Sequence, residues 1–364
     1  MNYLYNMFIE FFVNHGISEL WAYIMFPLVP FAILTVLMLL MVLLLVLLER
    51  KFLAFFTQRK GPNRVGYWGL LQTLADALKL LCKENITPAG VDKFLFTLAP
   101  IVSFVPVLLV WGILPYNAEF NLMSTPTNLI FYLVLAFIPV LGILLAGYSS
   151  NNKYSIIGAI RGIIQALSYE LPMVFSVLGV VILASSMNLA QITLSQTSKF
   201  GFLGWYAIPS FIGLLVVFVS ALAELNRCPF DLPEAESELV AGYNTEYSGM
   251  RFALFYLSEY AMLFANSALI VVLFFGGYLS PFGSYISNLF FGDSVEANIL
   301  VYVEQLFWFF VKTFCVIFLM ILIRATYPRL QSDKLLKLSW TVLLPLAILN
   351  LFICMIIKFV GGVL

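Results

Sequence analysis

From residue 24 to residue 48 the chain runs through 25 consecutive positions without one charged side chain. As an α-helix that run is about 37 Å long, enough to cross a hydrocarbon core of about 30 Å. Seven further stretches are long and apolar enough to cross as well, at 94–114, 128–149, 162–189, 204–223, 252–279, 305–323 and 338–360. Within lipid every backbone polar group needs an internal partner, so such segments are helices or strands of a closed barrel. Pro27, Pro30, Pro139, Pro172 and Pro345 fall inside them, which a barrel strand does not tolerate and a membrane helix does. The expected fold is therefore all-α, a single polytopic membrane domain over residues 1–364 with eight transmembrane helices.

Composition closes off the other classes. Hydrophobic residues make up 62% of the chain and charged residues 10%, against about 45–50% and about 25% in soluble domains. A disordered chain and a soluble enzyme are excluded. Basic and acidic residues number 19 each, so bulk positive charge for nucleic-acid binding is absent as well. The single histidine, His15, rules out a bis-histidine haem. Cys82, Cys228, Cys315 and Cys354 are far apart and form no CxxC pair, which predicts free thiols and no metal site. Neither a Walker lysine loop nor a GxGxxG is present, so no nucleotide or other cofactor is expected on this chain. The N-terminus has no basic run before its apolar stretch and no small-residue cleavage site.

Eight spans put both termini on one side. Of the 19 basic residues, 16 lie in the loops on the opposite side: 49–93, then Lys153 and Arg161, then Arg227 and Arg251, then Arg324, Arg329, Lys334 and Lys337. By the positive-inside rule those loops face inward and both termini lie outside.

Three spans carry a charge well inside them, at a cost of about 2.5–3.5 kcal/mol each near a helix centre. Glu170 lies roughly 13 Å from the inner edge, Glu259 roughly 12 Å and Lys312 roughly 18 Å, counted from Arg161, Arg251 and Arg324 at about 1.5 Å per residue. Two carboxylates and one ammonium near the midplane suggest a lateral proton path. The competing reading is a structural ion pair, although one lysine fully satisfies only one glutamate. Gly158 and Gly162 form a GxxxG pair, which predicts close helix packing.

The third inner loop, 223–251, holds Glu224, Asp231, Glu234, Glu236, Glu238 and Glu246 against Arg227 and Arg251. Asp231, Pro233 and Glu234 are spaced to open a helix, on which Glu234 and Glu238 would share a face. Capping accounts for about two acids. The remainder read as crowded carboxylates that titrate together and respond to a nearby charge. The first inner loop is its opposite. Arg59, Lys60 and Arg64 surround the turn Gly61-Pro62-Asn63, and Leu70, Leu71, Leu74, Leu78 and Leu81 then recur at helical spacing. An amphipathic helix along the membrane is expected there. It serves either as an anchor on lipid headgroups or as a rim that docks another protein and admits an amphipathic ligand.

At these residues the chain resembles the NADH dehydrogenase subunit 1 family, the membrane subunit of respiratory complex I at the junction with its peripheral arm. The runs that carry the resemblance are ERKFLAFFTQRKGPNRVG from Glu49, ALAELNRCPFDLPEAESELVAGYNTEYSG from Ala221 and IRATYPRLQSDKLLKLSW from Ile323, with SYELP at Glu170 and LSEYA at Glu259. It covers roughly residues 25–350. Thr73 and Thr341 depart from the family pattern.

The resemblance implies an eight-helix subunit that binds no cofactor itself and forms much of the tunnel through which ubiquinone, the substrate, leaves the bilayer. Arg50, Arg59 and Asp76 then look like tunnel residues. Arg161, Glu224, Arg227, Asp231, Glu234, Glu236, Glu238 and Glu246 look like a charged lining and coupling loop. Glu170 and Glu259 look like acids of the buried proton path, to which the depth argument adds Lys312. The implied partners are hydrophilic quinone-reducing and iron–sulfur subunits, antiporter-like and small membrane subunits, and the lipid bilayer. NADH, FMN and iron–sulfur clusters would belong to those partners. A membrane subunit of a proton-pumping hydrogenase or other reductase is the alternative, and a stand-alone ion transporter a more distant one. The 35 phenylalanines hint at an A+T-rich mitochondrial gene and so at the mitochondrial inner membrane, with a bacterial plasma membrane as the alternative.

Overall fold

The computed structural model describes residues 19–118, 122–123, 125–197, 201–282 and 295–363, and His15 and Lys199 lie outside them. The described residues form helices and connecting loops, with no strand among them. In chain order the helices are α1 (Glu19–Phe56), α2 (Gln72–Cys82), α3 (Lys93–Ile113), α4 (Asn128–Ser149), α5 (Lys153–Ala184), α6 (Leu189–Ser195), α7 (Phe211–Glu224), α8 (Glu236–Leu239), α9 (Gly249–Phe274), α10 (Val295–Thr326), α11 (Ser332–Lys337) and α12 (Leu344–Val363). A π turn at Leu338–Leu343 joins α11 to α12. The amphipathic helix expected from the leucine spacing is α2.

Seven of these segments are long and apolar enough to cross a membrane. The exception is the expected span at 204–223. Only its second part is α-helical, and α7 has 14 residues, a rise of about 21 Å. Ahead of it the chain turns through Pro209, and tertiary contacts serve its backbone. The Ala207 amide donates to Phe274 O at 2.9 Å, and the Tyr206 amide donates to Gln196 Oε1. A segment whose polar groups find such partners has no need to be helical to be buried.

Helix α9 is the axis of the bundle. Every residue from Ala261 to Phe274 is buried. Trp111 of α3 stacks on Phe264 at 4.4 Å and donates its indole N–H to Ala261 O at 3.0 Å. Around this axis the outer helices turn apolar side chains outward, as α1 does with Leu28, Ile33, Val36, Leu37 and Leu40. That pattern fits lipid as the surrounding solvent. Close approach of α3 and α4 depends on Gly142, where a Cβ would collide with Ser103 Oγ.

The four charged loops converge at one end of the bundle. Asp92 N donates to Ser149 O, Ile86 N to Ser248 Oγ at 2.9 Å, and Leu330 N to Pro229 O at 3.0 Å.

Candidate functional site

The acidic loop does not open with the helix its spacing predicts. Its α-helical turn is the four-residue α8, which starts only after Ala235, so Glu234 and Glu238 share no helical face. The loop instead folds back on α5. Gly242 has φ +56°, and a Cβ there would overlap Pro233 O. Gly158 is also tight, with Pro233 O and the Gly242 Cα each 2.9 Å from its would-be Cβ. The GxxxG pair thus seats the loop rather than another helix. Gln165 of α5 holds the start of the loop, donating to Ala223 O and Phe230 O, both at 2.7 Å.

This fold gives the acids separate partners instead of leaving one crowded set. Asp231 pairs with Arg329 at 3.0 Å, and Glu238 with Arg161 at 2.5 Å. Glu246 accepts from Asn152 Nδ2 at 2.8 Å, and Glu234 from Asn244 Nδ2 at 2.6 Å. The Glu236 side chain lies outside the described residues. Burial pushes the Glu234 carboxyl up to about 7, and the Asp231 charge adds to that. The nearby Tyr243 hydroxyl, the hydrogen bond from Asn244 and the Arg227 charge oppose it. Arg227 has left the acids of its own loop. It pairs with Glu49 near the charged end of α1, and Arg324 of α10 pairs with the other Glu49 oxygen. Glu49 is 3% exposed and Arg227 7%. The Arg227 guanidinium also lies 4.2 Å from the Tyr260 ring centre.

Four acids nevertheless form a row into the bundle. The Tyr243 hydroxyl lies beside Glu234 and donates to Glu259 Oε1 at 3.1 Å. Glu259 and Glu224 line one cavity of about 40 Å³ together with Asn226, Ser258 and Tyr243. Glu224 and Glu170 line a second cavity of about 20 Å³ with Ser220. The cavities share Ala136, Val140 and Glu224 as lining residues. One water needs roughly 10–15 Å³ of such space and two or more polar partners. The smaller cavity has room for one water, the larger for two or three. Ser220 Oγ is buried and has no protein partner among the described residues, as expected for a group that bonds water.

Lys312 is not brought to the acids. Its Nζ donates to Phe275 O, Gly277 O and Leu279 O at 2.8, 2.9 and 2.6 Å and lies 4.6 Å from the Trp205 ring centre. It closes the C-terminal end of α9, well beyond Glu259 on that helix. The depth count along α10 took no account of the length of a lysine stem, which reaches toward unpaired carbonyls at a helix end. Lys358 does the same for α5, donating to Leu183 O at 2.9 Å.

At the charged end, Arg50 pairs with Asp76 of α2 at 2.5 Å, and both are solvent-exposed in part. Gln72 donates to the other Asp76 oxygen at 3.1 Å, and Lys51 donates to Trp68 O at 2.6 Å. Arg59 is exposed, with its Nε on Thr57 Oγ1 at 3.1 Å. Phe55, Tyr67 and Trp68, with Leu74, Leu78 and Leu81 of α2, are exposed beside them. Sequence reasoning did not assign Glu49, Arg324, Tyr243 or Asn266 a place in the site. Glu49 offered a signal, since it is the first charge after the charge-free run. Tyr243 and Asn266 offered none. Among the described residues no group of three or more His, Cys, Asp or Glu side chains could hold a metal.

The family model described as NADH dehydrogenase matches residues 29–355. The chain is 46% identical over 309 residues to a Brevibacillus brevis protein named as a subunit of NADH-quinone oxidoreductase, covering 85% of this chain and 86% of that one. It is 44% identical over 350 residues to the Bacillus cytotoxicus protein of the same name, covering 96% and 95%. A Geobacillus protein, again of that name, is 45% identical over 313 residues, covering 86% and 88%. These relatives are bacterial, so they favour a bacterial plasma membrane and lend no support to the mitochondrial inner membrane that phenylalanine content suggested. Their names specify a quinone without specifying ubiquinone. With the match spanning every helix that carries the acid row, the chain belongs to the NADH dehydrogenase family.

Proposed function

We propose that the chain is a membrane subunit of a bacterial NADH:quinone oxidoreductase that guides quinone at its charged end and passes the consequence of quinone reduction to protons. The observation that carries this is the row Glu234–Tyr243–Glu259–Glu224–Glu170, which leads from the loop nearest the charged end to the interior of the bundle. The acids alternate with a phenol and with two cavities of water size, the donor and acceptor spacing a proton relay needs. Arg50, Asp76 and Arg59, set among exposed aromatic and leucine side chains, supply a mouth for an amphipathic quinone: apolar surface for the tail, charge and hydrogen bonds for the head. The redox groups, NADH, FMN and iron–sulfur clusters, belong to partner subunits docked on the charged loops.

The coupling is electrostatic. A negative charge arising on quinone near the loop raises the proton affinity of Glu234, and each acid then responds to the state of its neighbour. Lys312 has no step in this path and holds the end of α9. The test is proton pumping per electron in membranes carrying Glu170→Gln or Glu259→Gln. The expected result is loss of pumping together with slow quinone reduction. Unchanged pumping and turnover in both variants defeats the proposal.

A further inference from the structure

Glu224 is the acid common to both cavities, so whatever fixes its carboxyl controls passage between them. That fixing comes from α9. Asn266 Nδ2 donates to Glu224 Oε2 at 3.1 Å, and Asn266 Oδ1 accepts from the Tyr132 hydroxyl of α4 at 2.8 Å. Asn266 and Tyr132 are each 0% exposed. Asn266 stands about two helical turns beyond Glu259, on the same face of α9. An amide in the middle of the buried run from Ala261 to Phe274 is costly unless both its ends are used, and here both are.

We infer that Asn266, oriented by Tyr132, is a positioning residue for Glu224: it holds one carboxyl oxygen and leaves the other to the cavities. The inference rests on the acid-row reading of the preceding section. A tyrosine hydroxyl donating to Oδ1 leaves only the NH2 group for the acid, and a donor at that place favours the charged carboxylate. With the amide turned over, Oδ1 would face Glu224 and the buried Tyr132 hydroxyl would lose its acceptor, so Tyr132 fixes the amide in the orientation that serves the charged carboxylate. Both residues lie inside the bundle, so removing either alters the setting of Glu224 and leaves the charged loops as they are.

The experiment is the pH profile of NADH-driven quinone reduction and proton pumping in membranes containing the assembled complex. The variants are Tyr132→Phe, Asn266→Leu and Glu224→Gln, with each of the first two also combined with Glu224→Gln. Native gels report assembly. Tyr132→Phe and Asn266→Leu are expected to move the profile by about one pH unit toward alkaline values, since one hydrogen bond to a charged group has that weight. In the Glu224→Gln background neither should move it further. Should Asn266→Leu fail to assemble, Tyr132→Phe, which deletes only a hydroxyl, decides the matter. An unmoved profile, or an equal movement with and without Glu224, overturns the inference and leaves the acid row standing. Wild-type pumping in Glu224→Gln itself is a different failure: it removes Glu224 from the path, and this inference goes with it.

Discussion

The Tyr243 hydroxyl stands between two carboxyls that lie far apart in the sequence, Glu234 in the acidic loop and Glu259 in α9. Glu234 lines neither of the two cavities, so the phenol is what joins it to the rest of the acid row. Tyr243→Phe is expected to lower turnover about tenfold, the equivalent of about 1.4 kcal/mol, by deleting one hydrogen bond to a charged group. Assembly should be unaffected, because the ring and its edge contacts with Phe255 at 5.4 Å remain. Steady-state turnover and a native gel check both statements.

Glu49 carries two arginines, and this makes the outcome of substitution asymmetric. Glu49→Gln leaves the buried Arg227 and the adjoining Arg324 without a counter-charge. A buried pair broken from one side costs about 3–5 kcal/mol. Arg227→Gln leaves Glu49 still paired with Arg324 and should cost less. Loss of assembled complex on heating, followed on native gels, should rank the variants wild type, Arg227→Gln, then Glu49→Gln as least stable. The reverse order would show that Arg324 is not an effective partner.

Lys312→Met should loosen the end of α9 without touching the acid row. Three carbonyls lose a charged donor, each worth about 1–3 kcal/mol where it stays buried and unpaired. Amides around residues 274–279 are expected to exchange faster with deuterium, while the number of protons pumped per electron stays at the wild-type value.

The Glu234 carboxyl makes the loop pH-sensitive. Folding raises its proton affinity from an ordinary value of 4.5 to about 7. Below the lower value both folded and unfolded loop are protonated. Between the two only the folded loop holds the proton, so stability is lost as pH rises through that window and stays lower above it. Residues 232–245 should therefore be better protected from hydrogen exchange at about pH 6 than at about pH 8. Glu234→Gln should abolish the difference.

Arg50 and Asp76 are partly exposed, so their ion pair contributes little to stability, about 0–1 kcal/mol. Asp76→Asn is expected to assemble normally. Its effect should fall on the KM for a short-chain quinone, raised several-fold, with kcat nearly unchanged. A fall in kcat alone would argue against a role at the quinone mouth.

The helices were legible because lipid leaves the backbone no alternative: a long apolar run without charges has to satisfy its own N–H and C=O groups. The expected spans other than 204–223 appear as long helices, with those at 94–114 and 128–149 within a residue of their expected limits; α5 begins nine residues and α10 ten residues before theirs, and α1 continues through its charged end to Phe56. The span at 204–223 was misjudged because hydropathy counts side chains. It does not register that Gln196 and Phe274 can serve the backbone of a turn. Gly158 and Gly162 announced a close approach correctly, but not what approaches; spacing cannot distinguish a helix from a loop.

For the candidate site, the sequence alone determined which residues are too costly to be in a membrane without purpose, and Glu170, Glu259 and Lys312 were found by that cost. It also placed the charged loops together, since basic residues count the same wherever the chain later folds. Only the tertiary structure decided partnership. Glu259 faces a tyrosine, Glu224 an asparagine and Lys312 a helix end, while Glu49 takes an arginine from the acidic loop. Cost is a property of one residue and its solvent, readable from a string. Pairing is a property of two residues brought within about 3 Å by chain segments far apart in that string, and no spacing rule encodes it.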